Sequence, residues 1–329
     1  MTYLYPLKFE PIFKDKIWGG EKIKTFLGKD YGALPNCGET WELSGVKGNV
    51  SVVSNGPLKG KSINEVIQAN GSQLLGDHVG KLYGQEFPLL IKFIDANQDL
   101  SIQVHPDDEI AEAKHDCKGK TEMWYVMQAD EGSSLISGFN RELTRDEYVS
   151  QFEAGKLTDI LNREEVTSGD TFFIPAGRVH TIGKGLLIAE IQQTSDITYR
   201  IYDFDRVDAN GNKRELHVEE ALDAIDYKKY PSYKTQYADV QNQRVDLASC
   251  EFFTTHKLTL DKSFEVFNWQ DQSFKIYTCV GGEGEVKYGD EETVGIKAGE
   301  VLLIPAEMSQ FEIVPKGEIT VLESYIPNA

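Results

Sequence analysis

Apolar and polar positions alternate along this chain in short runs, the period-two pattern of strands with one face buried. Such runs include "WELSGV", "FPLLIKFIDA", "LSIQVHP", "TEMWYVMQA" and "DTFFIPA" in the first half, then "GLLIAEIQQTSDITYRIYDF". "FFTTHKLTL", "FKIYTCVGGEGEV" and "EVLLIPA" follow in the second, and Gly, Asn and Asp punctuate the series. Many short strands between turn signals predict a mainly β fold, a sandwich or barrel. Helical spacing is rarer: "SINEVIQANGSQLLG" near residue 62, "TRDEYVSQFEAGKLTDILN" from Thr144 with that threonine as cap, and "HVEEALDAI" from His217. These are predicted as decorations between β elements.

One pattern occurs twice. "SGDTFFIPAGRVHTI" at 168 to 182 is echoed by "AGEVLLIPAEMSQFEI" at 298 to 313, and alignment on Gly169 and Gly299 sets His180 opposite Gln310. A glycine-acid turn, an apolar strand, Ile-Pro-Ala and a polar position form one hairpin edge of a small barrel, so two related barrels are expected. The copy with the histidine is the candidate active one. A polar span at about residues 227 to 244 is expected to connect the halves.

Within "LSIQVHPDDE" the alternation places Ser101, Gln103 and His105 on one strand face and Ile102 and Val104 on the other. A polar inner face implies a site rather than a core. Gln103 and His105, Glu122 in "GKTEMWYV" and His180 after "IPAGRV" together offer two imidazoles, a carboxylate and an amide oxygen. That donor set suits Zn²⁺ or a similar divalent ion, with positions left for water or substrate. A lone strand histidine is more often a hydrogen-bonded structural residue; two such signals aimed at one interior favour a metal site. Charged residues, three of them cationic, are also oddly placed. Lys92 interrupts "FPLLIKFIDA", Lys120 precedes Glu122 by two, and Glu190 and Arg200 interrupt apolar strands. Each alone reads as a solvated face or structural ion pair, and together they suggest a cavity for an anionic, polar ligand.

Composition narrows the partners. The chain has 329 residues, 40% hydrophobic, with a formal net charge of −19, a field that repels nucleic acids and anionic membrane surfaces. Four scattered cysteines form no CxxC pair, and no basic leader or long apolar run is present, so a cytoplasmic protein is expected. Gly281, Gly282 and Gly284 are read as a hairpin turn rather than a phosphate loop, because no helix follows them. His115, His217 and His256 have no partner at ligand spacing and are read as surface or satisfied core residues. No Gly-x-Ser-x-Gly elbow is present.

"LSIQVHPDD", "GKTEMWYV", "GDTFFIPAGRVHTIG" and the early "KIWGG" together resemble the type I mannose-6-phosphate isomerases, members of the cupin superfamily, in their short bacterial form. The resemblance implies two cupin-type (jelly-roll) β-barrels, a catalytic domain over 1–235 and a metal-free cupin-like domain over 236–329. It implies Gln103, His105, Glu122 and His180 as ligands of one zinc per chain, with Mn²⁺ or Co²⁺ as possible substitutes. It implies proton transfer between C1 and C2 of a sugar phosphate through a cis-enediol, with Trp18, Lys92, Ser101, Lys120, Glu190 and Arg200 around the substrate. Longer relatives carry Thr-Pro-Lys soon after the arginine, whereas here the segment reads "RIYDFDR" with Arg206 in the lysine's place. Arginine is too weak an acid to exchange protons near neutrality. The base is therefore expected to be Glu190, Lys92, a zinc-bound water or another group, Glu190 first. A non-catalytic sugar-phosphate-binding cupin is the alternative, and an iron dioxygenase would call for more histidines. A monomer or homodimer is expected.

Overall fold

The computed structural model describes residues 4–208, 210–268 and 273–328. It is mainly β, as the alternation predicts, with three antiparallel sheets. The first sheet orders its strands Ile12–Lys14, Glu39–Ser44, Leu89–Ala96, Leu186–Gln193, Glu122–Ala129 and Thr171–Ile174. The second orders Tyr199–Tyr202, Ile102–Val104, His180–Thr181, Ser134–Phe139 and Leu161–Glu165. The run "GLLIAEIQQTSDITYRIYDF" is thus two strands, one in each sheet.

These two sheets face one another across an apolar layer in which Ile94, Trp124, Val126 and Ile188 of the first meet Leu135 of the second and Ile182 beside it. Each fully buried side chain of this kind contributes about 1.5–3 kcal/mol. The outer face of the first sheet, with Ile91, Phe93, Met123 and Ala189, is buried against the N-terminal helices and against Ile276, Leu303 and Leu322 of the second half. The second sheet turns Ile102, Val104, Tyr199 and Ile201 outward onto helix residues Tyr148 and Ala221. Alternation therefore leaves Ser101, Gln103, His105 and Arg200 facing inward.

The third sheet wraps its own core of residues such as Leu258, Tyr277, Leu302 and Val321. Two long strands, Lys275–Tyr288 and Gln310–Tyr325, each pair with several neighbours around it. Gly281 to Gly284 correct the hairpin expectation: they lie inside Lys275–Tyr288, where the register shifts twice and the strand bends. A side chain is excluded there, because Gly282 has φ +72° and a Cβ would lie 2.0 Å from the Glu318 carbonyl. The hairpin turn itself follows Tyr288.

The predicted helices form. Ile63–Asn70 and Arg145–Glu153 each start at a capping box, from Ser62 and Thr144, and Val218–Ala224 follows His217. Asp108–His115, capped by Asp107, was not predicted. The two repeats share one local structure, a turn at Gly169 or Gly299 with positive φ, then strands Thr171–Ile174 and Val301–Ile304. The connecting span is anchored rather than loose. The Arg178 guanidinium lies 4.5 and 4.7 Å from the rings of Tyr230 and Tyr233, and the Tyr233 hydroxyl donates to the Phe139 carbonyl at 2.8 Å.

Candidate active site and metal centre

Strand pairing brings the singled-out residues together. In the second sheet Arg200 pairs with Gln103, and Gln103 with His180, giving a row of three inward side chains across adjacent strands. In the first sheet Glu190 pairs with both Lys92 and Trp124, and Glu122 lies two residues before Trp124 on the same face. At this end of the sandwich the two inner faces are polar, while Val126 and Ile188 farther along are core.

His105 Nε2 lies 3.6 Å from one Glu122 oxygen and His180 Nε2 3.6 Å from the other; the ligand atoms of the three lie within 4.8 Å of one another, all buried. Each imidazole donates from Nδ1 to a backbone carbonyl, His105 to Ile197 at 2.8 Å and His180 to Arg178 at 2.7 Å. Those bonds fix the tautomer and aim the Nε2 lone pairs inward. Burial, with the Lys120 charge, holds His105 far below its ordinary range. Burial likewise lowers His180, to about 3, so both rings are neutral donors.

Burial and the nearby Glu190 charge push the Glu122 carboxyl up. Neither Glu122 oxygen accepts a well-oriented hydrogen bond, although the Lys120 ammonium lies 2.6 Å from Oε2. A buried carboxylate short of partners beside two neutral, pre-aimed imidazoles fits a divalent cation. Gln103 lies beside this cluster, its amide nitrogen 3.3 Å from His180 Nε2 and its amide oxygen accepting from the Ser101 hydroxyl at 3.1 Å. Among the described residues no second such group of His, Cys, Asp and Glu is found.

Over this cluster opens a cavity of about 280 Å³ lined by Trp18, Lys92, Ser101, Gln103, Lys120, Trp124, Glu190 and Arg200. Lys120 Nζ is 3.1 Å from His105 Nε2 and 3.7 Å from Glu190. Although burial opposes its charge, Glu122 and Glu190 outweigh that and raise its pKa, so it stays an ammonium. Glu190 receives Lys92 at 3.1 Å and the Trp124 indole N–H at 2.9 Å. Burial raises Glu190, but Lys120 and then Lys92 overcome it and keep the carboxylate ionised.

Sequence reasoning missed several lining residues: Lys16, Glu39, Trp41, Asp196, Thr198 and Arg214. Glu39 was legible in principle, as an inward acid in "ETWELS"; burial pushes it up, yet Lys16 and Lys92 bring it down to about 2. Arg214 sits in irregular backbone, where no periodicity marks a face.

The second half carries an echo of the same positions. Glu122 pairs with Ile174, and Lys275 pairs with Ile304, its repeat partner. Glu190 opposite Trp124 corresponds to Glu323 opposite Tyr277, and Lys92 opposite Glu190 to His256 opposite Glu323. Each aromatic side chain donates to its glutamate. An ammonium thus takes the place of the carboxylate that faces the imidazoles in the first half, and Gln310 takes that of His180.

Comparison with known proteins points to one family. Residues 6–136 match the family described as "Phosphomannose isomerase type I, catalytic domain", and residues 244–326 match "Mannose-6-phosphate isomerase, cupin domain". The chain is 36% identical to mannose-6-phosphate isomerase ManA of Bacillus subtilis over 94% of its own length and 95% of that protein. It is 34% identical to mannose-6-phosphate isomerase of Streptococcus mutans over 97% and 98%. The crystal structure of the Bacillus subtilis mannose 6-phosphate isomerase superposes with a TM-score of 0.87 at 34% identity, covering 98% of this chain and 99% of that one. The apo form of the Salmonella typhimurium enzyme, 17% identical, shares the fold with a TM-score of 0.79 over 99% and 100%.

Proposed function

This chain belongs to the type I phosphomannose isomerases, and we propose that it interconverts mannose 6-phosphate and fructose 6-phosphate by moving a proton between C1 and C2 of the open-chain sugar through a cis-enediol. The observation that carries the proposal is the convergence of His105, Glu122, His180 and Gln103 beneath a cavity lined by lysines and arginines, in a protein whose overall charge is −19.

Gln103, His105, Glu122 and His180 would hold one zinc ion, with Mn²⁺ or Co²⁺ able to substitute. With one carboxylate among the ligands the site keeps positive charge, and the bound ion supplies Lewis-acid stabilisation to a sugar oxygen. The chain's own groups do the rest. Lys120, a buried ammonium, donates to the oxygen on which charge grows as the proton leaves. Glu190 takes the proton and returns it to the neighbouring carbon. It is ionised in the resting cavity, and when Lys92 and Lys120 turn to substrate oxygens its proton affinity rises. Ser101 and Trp18 shape and hydrogen-bond the sugar, and Arg200 meets its phosphate. Burial of Lys92, Lys120 and Glu190 keeps bulk water from the enediol. We assign the chemistry to residues 1–235 and a structural, metal-free role to 236–329.

The test is a coupled assay for fructose 6-phosphate formed from mannose 6-phosphate, with and without chelator, on wild type and His180→Ala. Turnover lost in both the chelated and the substituted protein supports the proposal. Binding without turnover in metal-replete protein would leave only a sugar-phosphate-binding cupin, a reading the near full-length relatives do not favour. No helix of the described chain is long and apolar enough to cross a membrane.

A further inference from the structure

Three arginines gather where the strand Tyr199–Tyr202 leaves the second sheet. Arg200 is half-buried, donates from Nη1 to the Glu215 carbonyl at 2.8 Å, and keeps a buried Nε without a hydrogen-bond partner. Arg214 lines the cavity beside it. Its Nε and Nη2 grip both oxygens of Asp203, at 2.7 and 2.5 Å, which leaves Nη1 uncommitted.

Arg206 behaves differently. Its three nitrogens go to the Asp203 carbonyl, the Asp99 carbonyl and the Asp203 carboxylate, and it does not line the cavity. The turn between Asp203 and Arg206 is made by Phe204 and Asp205, both with φ +55°, an uncommon conformation for residues with side chains. It sets Asp203 between the two guanidiniums. Three guanidiniums against one carboxylate leave a local excess of positive charge within a strongly acidic protein. Asp196, also lining the cavity, is exposed to solvent.

We propose that Arg214, held in place by Asp203 and braced by Arg206, forms with Arg200 the subsite that grips the substrate's phosphate dianion. The inference rests on the isomerase reading above and deepens it. A guanidinium fixed by a carboxylate on one edge presents its other edge as a preorganised donor, the geometry that suits phosphate oxygens better than a sugar hydroxyl. Neighbouring strands lie about 4.8 Å apart, so the row from His180 through Gln103 to Arg200 spans about 10 Å, the scale of an open-chain hexose phosphate. One molecule can therefore reach from the histidine cluster to the arginines. Arg214 is a specificity residue in this account, Asp203 and Arg206 positioning residues.

Steady-state kinetics on Arg214→Gln, Arg214→Lys and Asp203→Asn tests this, with folding checked by circular dichroism. Loss of a charge-assisted hydrogen bond predicts a KM for mannose 6-phosphate raised about 10- to 100-fold in Arg214→Gln while kcat stays within about threefold. Arg214→Lys recovers part of the loss, and Asp203→Asn raises KM without removing any cavity cation. Arg214→Gln with a wild-type KM overturns the subsite while the isomerase reading stands. An inactive wild type overturns the isomerase reading instead. Phosphorus NMR titration with inorganic phosphate then still decides: binding weakened in Arg214→Gln supports the subsite, and equal binding overturns it.

Discussion

Replacing Glu323 by glutamine removes a buried charge from the position in the second half that corresponds to Glu190 in the first. The carboxylate is fully buried and receives Arg244 Nε and Nη2 at 2.6 and 3.0 Å, the Tyr277 hydroxyl, and the Lys275 ammonium at 3.7 Å. Burial pushes its pKa up, but the Arg244 hydrogen bonds and the Lys275 charge outweigh that and bring it from 4.5 down to about 2. A shift of that size corresponds to stabilisation on the order of 3 kcal/mol. The folded pKa lies below the unfolded one, so this stability is complete above about pH 4.5 and is lost as the pH falls towards 2. Glu323→Gln also removes the charge that Arg244 and buried Lys275 face, so a loss of about 3–5 kcal/mol at pH 7 is expected. Urea denaturation of both proteins at pH 7 and pH 3 measures it. The gap should narrow by about 2 kcal/mol at the lower pH, and kcat/KM at pH 7 should be unchanged. A variant within about 1 kcal/mol of wild type at pH 7, or a gap indifferent to acid, would refute the reasoning.

Two further substitutions probe the first half. Glu190→Gln is expected to lower kcat by about 10²- to 10⁴-fold with little change in KM, and to abolish solvent deuterium uptake at C1 and C2; undiminished uptake would assign the proton transfer elsewhere. Thr144→Ala removes the side-chain half of a capping box whose hydroxyl accepts from the Glu147 N–H at 3.2 Å. It should cost about 1 kcal/mol in chemical denaturation and leave turnover untouched.

What could be read beforehand followed from local chemistry. The Ser62 and Thr144 caps, the Gln-x-His alternation and the repeated Gly-acid, Ile-Pro-Ala segment each depend on residues close in sequence, and each has its expected structure. The inward direction of the polar face of "LSIQVHP" was legible, because Ile102 and Val104 are the apolar positions that pack outward. Arg214 was invisible, since its place depends on a turn through Phe204 and Asp205 and on a carboxylate eleven residues upstream. The correspondence of Lys275 with Glu122 also escaped, because it exists only in strand register. Gly281 to Gly284 misled for a physical reason. Glycine serves a sharp strand bend under a close carbonyl as well as it serves a turn, and only the pairing on either side distinguishes them.

The central claim is that a divalent ion held by Gln103, His105, Glu122 and His180 makes this cavity an isomerase. Titrating zinc into metal-stripped protein, with bound metal and mannose 6-phosphate turnover followed together, tests it most directly. Activity should rise from nothing in proportion to bound metal and saturate at one ion per chain, and Glu122→Ala should neither retain the ion nor turn over. Full turnover in stripped protein, or activity and tight binding that persist in Glu122→Ala, would contradict the account.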